Sequence, residues 1–107
     1  MSYELKKTSN DKFMFNLKAA NHEIILTSQT YERKESALIG IASVQKNGPD
    51  ASNFELKRSV SNEPYFVLKA GNAEVIGTSE MYSSEAAAKT GIASVQTYSP
   101  STEIKES

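Results

Sequence analysis

The hexapeptide Gly40-Ile41-Ala42-Ser43-Val44-Gln45 returns unchanged as Gly91-Ile92-Ala93-Ser94-Val95-Gln96, 51 positions later. Working outward from it, residues 3 to 50 lie over residues 54 to 101 without a gap, and 21 of the 48 pairs are identical. Glu4-Leu5-Lys6 falls on Glu55-Leu56-Lys57, and Phe15 with Leu17-Lys18-Ala19 on Phe66 with Leu68-Lys69-Ala70. Thr27-Ser28 and Tyr31 fall on Thr78-Ser79 and Tyr82. Such self-similarity marks a duplication, and it has to be read before anything else. A unit of this size buries too small a share of its surface to be stable alone, since even about 60 residues bury only about 60%. The two copies are therefore expected to share one core. This gives a single pseudo-symmetric domain over 1–107, with repeat 1 at 3–53 and repeat 2 at 54–107.

Within each copy the pattern predicts three strands and a helix. Tyr3 to Thr8 and Phe54 to Ser59 alternate apolar and charged residues, the period of a half-exposed strand. Phe13, Phe15 and Leu17 share one face of the next strand, as do Phe66 and Leu68. Third strands run from Glu23 to Thr27 and from Glu74 to Thr78. Asn10-Asp11 and Ser61-Asn62 supply turns. Ala20-Asn21-His22-Glu23 and Gly71-Asn72-Ala73-Glu74 read as tight hairpins, with Asn as the residue that tolerates positive φ. Ala37, Ile41 and Val44, matched by Ala88, Ile92 and Val95, form the inward stripe of the helices. Leu38 gives way to Lys89 and so belongs at a rim. Ser83-Ser84-Glu85 starts the second helix with a capping hydroxyl and an early carboxylate. Asn47-Gly48-Pro49 is expected to end the first, with a residue able to turn left-handed before a proline. Gly40 and Gly91 sit inside the helices, which calls for close packing, under Tyr31 or Tyr82, to offset about 1 kcal/mol of lost propensity each. Thr102 to Lys105 echoes the first strands and suggests a closing strand.

The order Phe-x-Leu-Lys-Ala-x-Asn-x-Glu-x-Ile, Thr-Ser-x-x-Tyr, Gly-Ile-Ala-Ser-Val, present twice, resembles the YegP-like family of small bacterial domains of unknown function. The resemblance runs from Tyr3 to about Pro100. It implies an α+β fold of tandem β-β-β-α-β repeats that share one antiparallel-rich sheet, with helices on one face, a pseudo-twofold axis and exchanged C-terminal strands. The family's hairpin usually reads Asn-Gly, where this chain has Asn21-His22 and Asn72-Ala73. The carboxylate of Ser79-Glu80-Met81-Tyr82 is a glutamine in Ser28-Gln29-Thr30-Tyr31, so a function needing it is confined to the second copy. The resemblance carries no catalytic residue.

Composition narrows the chemistry. Twelve basic against thirteen acidic residues make no basic field for nucleic acid. Without cysteine there is no disulfide framework, thiolate zinc site or thiol nucleophile. No apolar run approaches the ~20 residues of a membrane span, and Met1 to Lys7 lacks a signal-peptide core. These features lead to the expectation of a soluble, cytoplasmic chain without membrane partners. The sole histidine, His22, has no orienting or metal-ligating companion in the sequence and reads as a solvated turn residue. Ser28 and Ser79 read as satisfying backbone groups, and Tyr31 and Tyr82 as packing across the strand-to-helix junction. Glycines are scattered, so no phosphate loop is expected. Lys6, Lys18, Lys57 and Lys69 are read as cross-strand partners of Glu4, Glu23, Glu55 and Glu74.

No catalytic, cofactor or metal residue is assigned, and no enzyme is expected. Apolar groups on the sheet's second face (Met14, Tyr65 and Val67, with Ile24-Ile25-Leu26 and Val75-Ile76 apolar on both faces) point to an interaction or accessory module. Its partner would be a protein or a second copy, bound by that face or by an exposed strand edge. Weak nucleic-acid binding by the sheet is the other reading.

Overall fold

A computed structural model describes residues 2–106. The elements are β1 (Ser2–Lys7), β2 (Phe13–Lys18), β3 (Ile24–Thr27), α1 (Lys34–Asn47), β4 (Phe54–Arg58), β5 (Pro64–Lys69), β6 (Val75–Thr78), α2 (Glu85–Tyr98) and β7 (Ile104–Glu106). A short 3-10 turn, Ala51–Asn53, joins α1 to β4. The fold is α+β. Among the described residues, one sheet runs β4-β5-β6-β3-β2-β1-β7, with both helices packed against it. Every pair is antiparallel except β1 with β7, which is parallel.

The expected inward face is the observed one. Phe15, Leu17, Phe66 and Leu68 are buried with Ala37, Ile41, Val44 and Val95 in one cluster fed by both halves. Ile25 and Ile76 join it because β2–β3 and β5–β6 each shift register by one residue. Such a bulge leaves one unpaired residue per hairpin, and that residue breaks strict alternation. Leu38 lies at the exposed rim, as its exchange for Lys89 indicates.

Two local expectations need correction. Asn21 and Asn72 are not the positive-φ residues of their hairpins; His22 and Ala73 are, each at 68°. The turn closes one residue earlier, with the His22 N–H donating to Ala19 O (2.9 Å) and the Ala73 N–H to Ala70 O (2.9 Å). The next residue must then turn left-handed, as in a three-residue hairpin loop. Asn21 instead accepts from the Glu23 N–H at 3.1 Å, and Asn72 from the Glu74 N–H at 3.2 Å. Gly48 does not end α1 left-handed: its φ is −61°. A Cβ there would collide with the Ser99 side chain, and that contact explains the glycine.

The exchange of C-terminal strands takes place on one edge. β7 leaves α2 and pairs with β1 of the first half, with Tyr3 opposite Ile104 and Leu5 opposite Glu106. After α1 only six residues precede β4, the last three of them in the 3-10 turn, too few to form a counterpart. Among the described residues β4 therefore ends the sheet with β5 as its only neighbour. Leu5 is 3% exposed under β7, while its repeat mate Leu56 is 36% exposed.

Candidate functional site

The pseudo-twofold axis is where equivalent residues meet each other. Thr27 pairs with Thr78, its own repeat mate, and this is the one register pair between β3 and β6. Beneath it, Leu26 packs on Gly77, where a Cβ would lie 2.6 Å from the Leu26 side chain. At the helix ends Gly48 meets Ser99. Each of these last two pairs sets a larger residue against a glycine. At these two contacts there is no room for two side chains, so the copies have diverged here although Thr27 and Thr78 match.

Because β3 and β6 are joined only at Thr27–Thr78, the seam opens into a groove of about 960 Å³. Ile24, Val75, Thr27, Thr78, Gln29 and Glu80 are among its lining residues. Ile24 and Val75 are repeat mates at 39% and 42% exposed, and Met81 beside the seam is 44% exposed. The groove differs in charge along its length. Glu80 has Gln29 as its mate, and Glu23 also lines the groove. Burial, then Glu80 and Glu23, push the Tyr82 phenol above its usual pKa. Tyr31 is raised by burial and partly held down by its hydrogen bond with Gln29.

The seam serines are occupied. Ser28 Oγ accepts from the Phe15 N–H (2.9 Å) and donates to Gln29 O (2.7 Å). Ser79 Oγ does the same with Phe66 (2.9 Å) and Glu80 O (2.8 Å). Each serine thus continues a strand's hydrogen bonding past its end, the role expected from the sequence. Tyr31 and Tyr82 stack on Phe15 and Phe66, with centroids 6.3 and 6.1 Å apart. Gly40 and Gly91 lie against those two tyrosines, as the sequence requires: a Cβ on Gly40 would sit 2.5 Å from Tyr31 Oη. His22 borders the groove on its exposed turn. Among the described residues no group of three or more His, Asp or Glu is placed to hold a metal ion.

On the sheet's second face the lysines are paired, though with fewer acids than expected. Glu4 Oε1 lies 3.2 Å from Lys6 Nζ and 3.3 Å from Lys18 Nζ. Glu55 lies 2.5 Å from Lys69 and 3.9 Å from Lys57. Hydrogen bonding from Lys6, then Lys18, holds the Glu4 carboxyl below its usual pKa, and a hydrogen bond from Lys69, then the charge of Lys57, lowers that of Glu55. Glu23 and Glu74 take no part in these clusters. Val67 is buried on this face, between Glu55 and Thr78 in register, so the exposed apolar pair of this face, Ile24 and Val75, lies at the seam rather than along β2 and β5. Sequence reasoning named the runs Ile24-Ile25-Leu26 and Val75-Ile76, of which Ile25, Leu26 and Ile76 are buried, but missed the groove that Ile24 and Val75 line. The readable signal was the unequal pairs Leu26/Gly77 and Gly48/Ser99 within an otherwise matched register.

The sequence matches the family described as domain of unknown function DUF1508 twice, at residues 8–55 and 59–106. It is 60% identical to the UPF0339 protein YegP of Yersinia pestis over 97% of this chain and 93% of that protein. It is 54% identical to the UPF0339 protein MS1092 of Mannheimia succiniciproducens, covering 97% and 92%. Among solved structures, the fold is similar to the solution structure of the UPF0339 protein SO3888 of Shewanella oneidensis. There the TM-score is 0.91 at 50% identity, over 97% of this chain and 88% of that one. It is likewise similar to yegP of E. coli, a protein of unknown function, with a TM-score of 0.92 at 45% identity over 97% and 90%.

Proposed function

The chain belongs to the DUF1508 family, which has no established function, and from the geometry of its seam we propose that it is a non-catalytic protein-interaction module. The observation that carries this reading is the groove at the pseudo-twofold axis. Exposed apolar mates, Ile24 and Val75, line it beside the carboxylates Glu23 and Glu80. A concave surface with apolar contacts and one charged end suits an apolar side chain followed by a cation on a protein partner. The Ser28 and Ser79 hydroxyls at the seam are engaged with backbone groups, which argues against a role for them as nucleophiles. The lysines of the second face are shared with Glu4 and Glu55 instead of forming an open basic track. The fold holds without disulfides, as a reducing cytoplasm requires, and no helix among the described residues is long and apolar enough to cross a membrane.

The test is affinity capture from native lysate, scored for proteins and nucleic acids, with wild type beside Ile24→Asp and Glu80→Lys. A specific protein retained by wild type and lost in both variants, each still folded by circular dichroism, supports the reading. Salt-sensitive capture of RNA or DNA, unaffected by the two changes, overturns it.

A further inference from the structure

The two outer strands of the repeat core are equivalent, yet only one is covered. β1 carries β7, and among the described residues no strand covers the same side of β4. The β1–β7 contact is thus an internal template for what β4 can accept. The Tyr3 N–H donates to Glu103 O at 2.9 Å, so alternate backbone groups of β1 face β7. By repeat equivalence, the Phe54 C=O and Leu56 N–H face outward from β4. The Phe54 N–H is already spent on Ala51 O, which shortens the ladder by one bond.

Chemistry distinguishes the two seats. β7 is fastened to the helix layer by Glu106, whose carboxylate lies 2.7 Å from Lys34 Nζ in the first turn of α1. The repeat mate of Lys34 is Glu85, of opposite charge. Glu85 lines a small cleft of about 160 Å³ with Leu56, Lys57, Arg58 and Pro64, beside the position Glu106 occupies in the template. Its present partners, Arg58 and Lys89, are each 3.6 Å away with half-exposed side chains, and pairs of that kind contribute little.

We infer that the β4 edge is a docking site for an extended segment of a partner protein, added parallel to β4, with an apolar residue beside Phe54 and a lysine or arginine two positions later beside Glu85. Main-chain pairing supplies the affinity of such strand addition, and the alternate side chains supply its specificity. The reversed charge disfavours a second copy of this chain, whose own β7 would bring Glu106 against Glu85. This site is separate from the seam groove and stands or falls without it.

The test is a ¹⁵N chemical-shift titration of the full chain with the blocked peptide Ser-Thr-Glu-Ile-Lys-Lys. The control peptides are Ser-Thr-Glu-Ile-Lys-Glu and a version of the first methylated on the backbone nitrogen of its first lysine. The expected result is perturbation of Leu56 and Arg58 amides, with the basic peptide about fivefold tighter than the acidic one, the scale of one exposed ion pair. The methylated peptide should not bind, and Glu85→Lys should reverse the preference, with Glu85→Gln abolishing it. The proposal is overturned by no binding, by shifts confined to the seam, or by equal affinity of the basic and acidic peptides. It is equally overturned if dilution of the protein alone moves the β4 amides, because a second copy then covers the edge.

Discussion

Ala73 holds a backbone conformation that its methyl group opposes. At φ 68° the Cβ crowds the following carbonyl, a penalty of roughly 1–2 kcal/mol for an L-residue, while Asp11 and Asn62 take the same conformation with side chains better suited to it. Ala73→Gly removes that strain but frees the unfolded chain, which returns about 0.4–1 kcal/mol. The expected net is a stabilisation of about 0.5–1 kcal/mol, read as a higher midpoint in thermal unfolding. Tyr3 works in the opposite sense. It is fully buried, and its hydroxyl donates to Ser99 O at 2.6 Å, whereas its repeat mate Phe54 has no hydroxyl. Tyr3→Phe should cost about 1 kcal/mol near neutral pH by leaving that carbonyl unpaired. Burial raises the folded-state pKa of Tyr3 above the unfolded value near 10. Stability from the neutral phenol is therefore complete below pH 10 and is lost as pH rises beyond it. Urea unfolding at about pH 7 and pH 11 should show wild type losing more stability than the variant across that interval. An equal loss in both would mean that Tyr3 is not the titrating group.

The two helices show how far one copy instructs the other. Ser84 caps α2 by accepting from the Ala87 N–H at 3.1 Å, but the matching residue at α1 is Arg33, which makes no side-chain cap. Arg33→Ser should therefore stabilise the protein by about 0.5–1 kcal/mol, measured as a shift in the urea midpoint at constant slope. Element order, both helical stripes and the tyrosine-covered glycines were legible in the sequence, because each rests on periodicity or on a match between copies. The hairpin geometry was not. Asn21 suits a left-handed backbone, yet the closing hydrogen bond falls one residue earlier and passes that conformation to His22. Gly48 was misread for a related reason: a glycine before a proline suggests a left-handed cap, but here the constraint comes from Ser99 across the axis. The groove was illegible because it depends on how few pairs join β3 to β6, a tertiary quantity that strand patterns do not encode.

For the whole molecule, the duplication is consistent only if close-packed residues that meet their own counterparts without room for two side chains stop being identical, although Thr27 and Thr78, paired in register, remain the same. Leu26 and Gly77 are the clearest instance: a buried leucine fills the space above a glycine at the equivalent position of the other copy. Gly77→Leu alone would put two leucines in a space built for one, an overpacking loss of about 1–3 kcal/mol. Leu26→Gly alone would leave a cavity, at about 2–5 kcal/mol by analogy with leucine truncation. The approximate twofold makes the two seats interchangeable, so the double variant Leu26→Gly with Gly77→Leu should regain much of what the single changes lose. A double-mutant cycle in urea should give a favourable coupling near the upper end of the usual range of about 0.5–3 kcal/mol. Strict additivity would show that each seat is shaped by its own surroundings, and that the symmetry of the backbone does not extend to the packing at its axis.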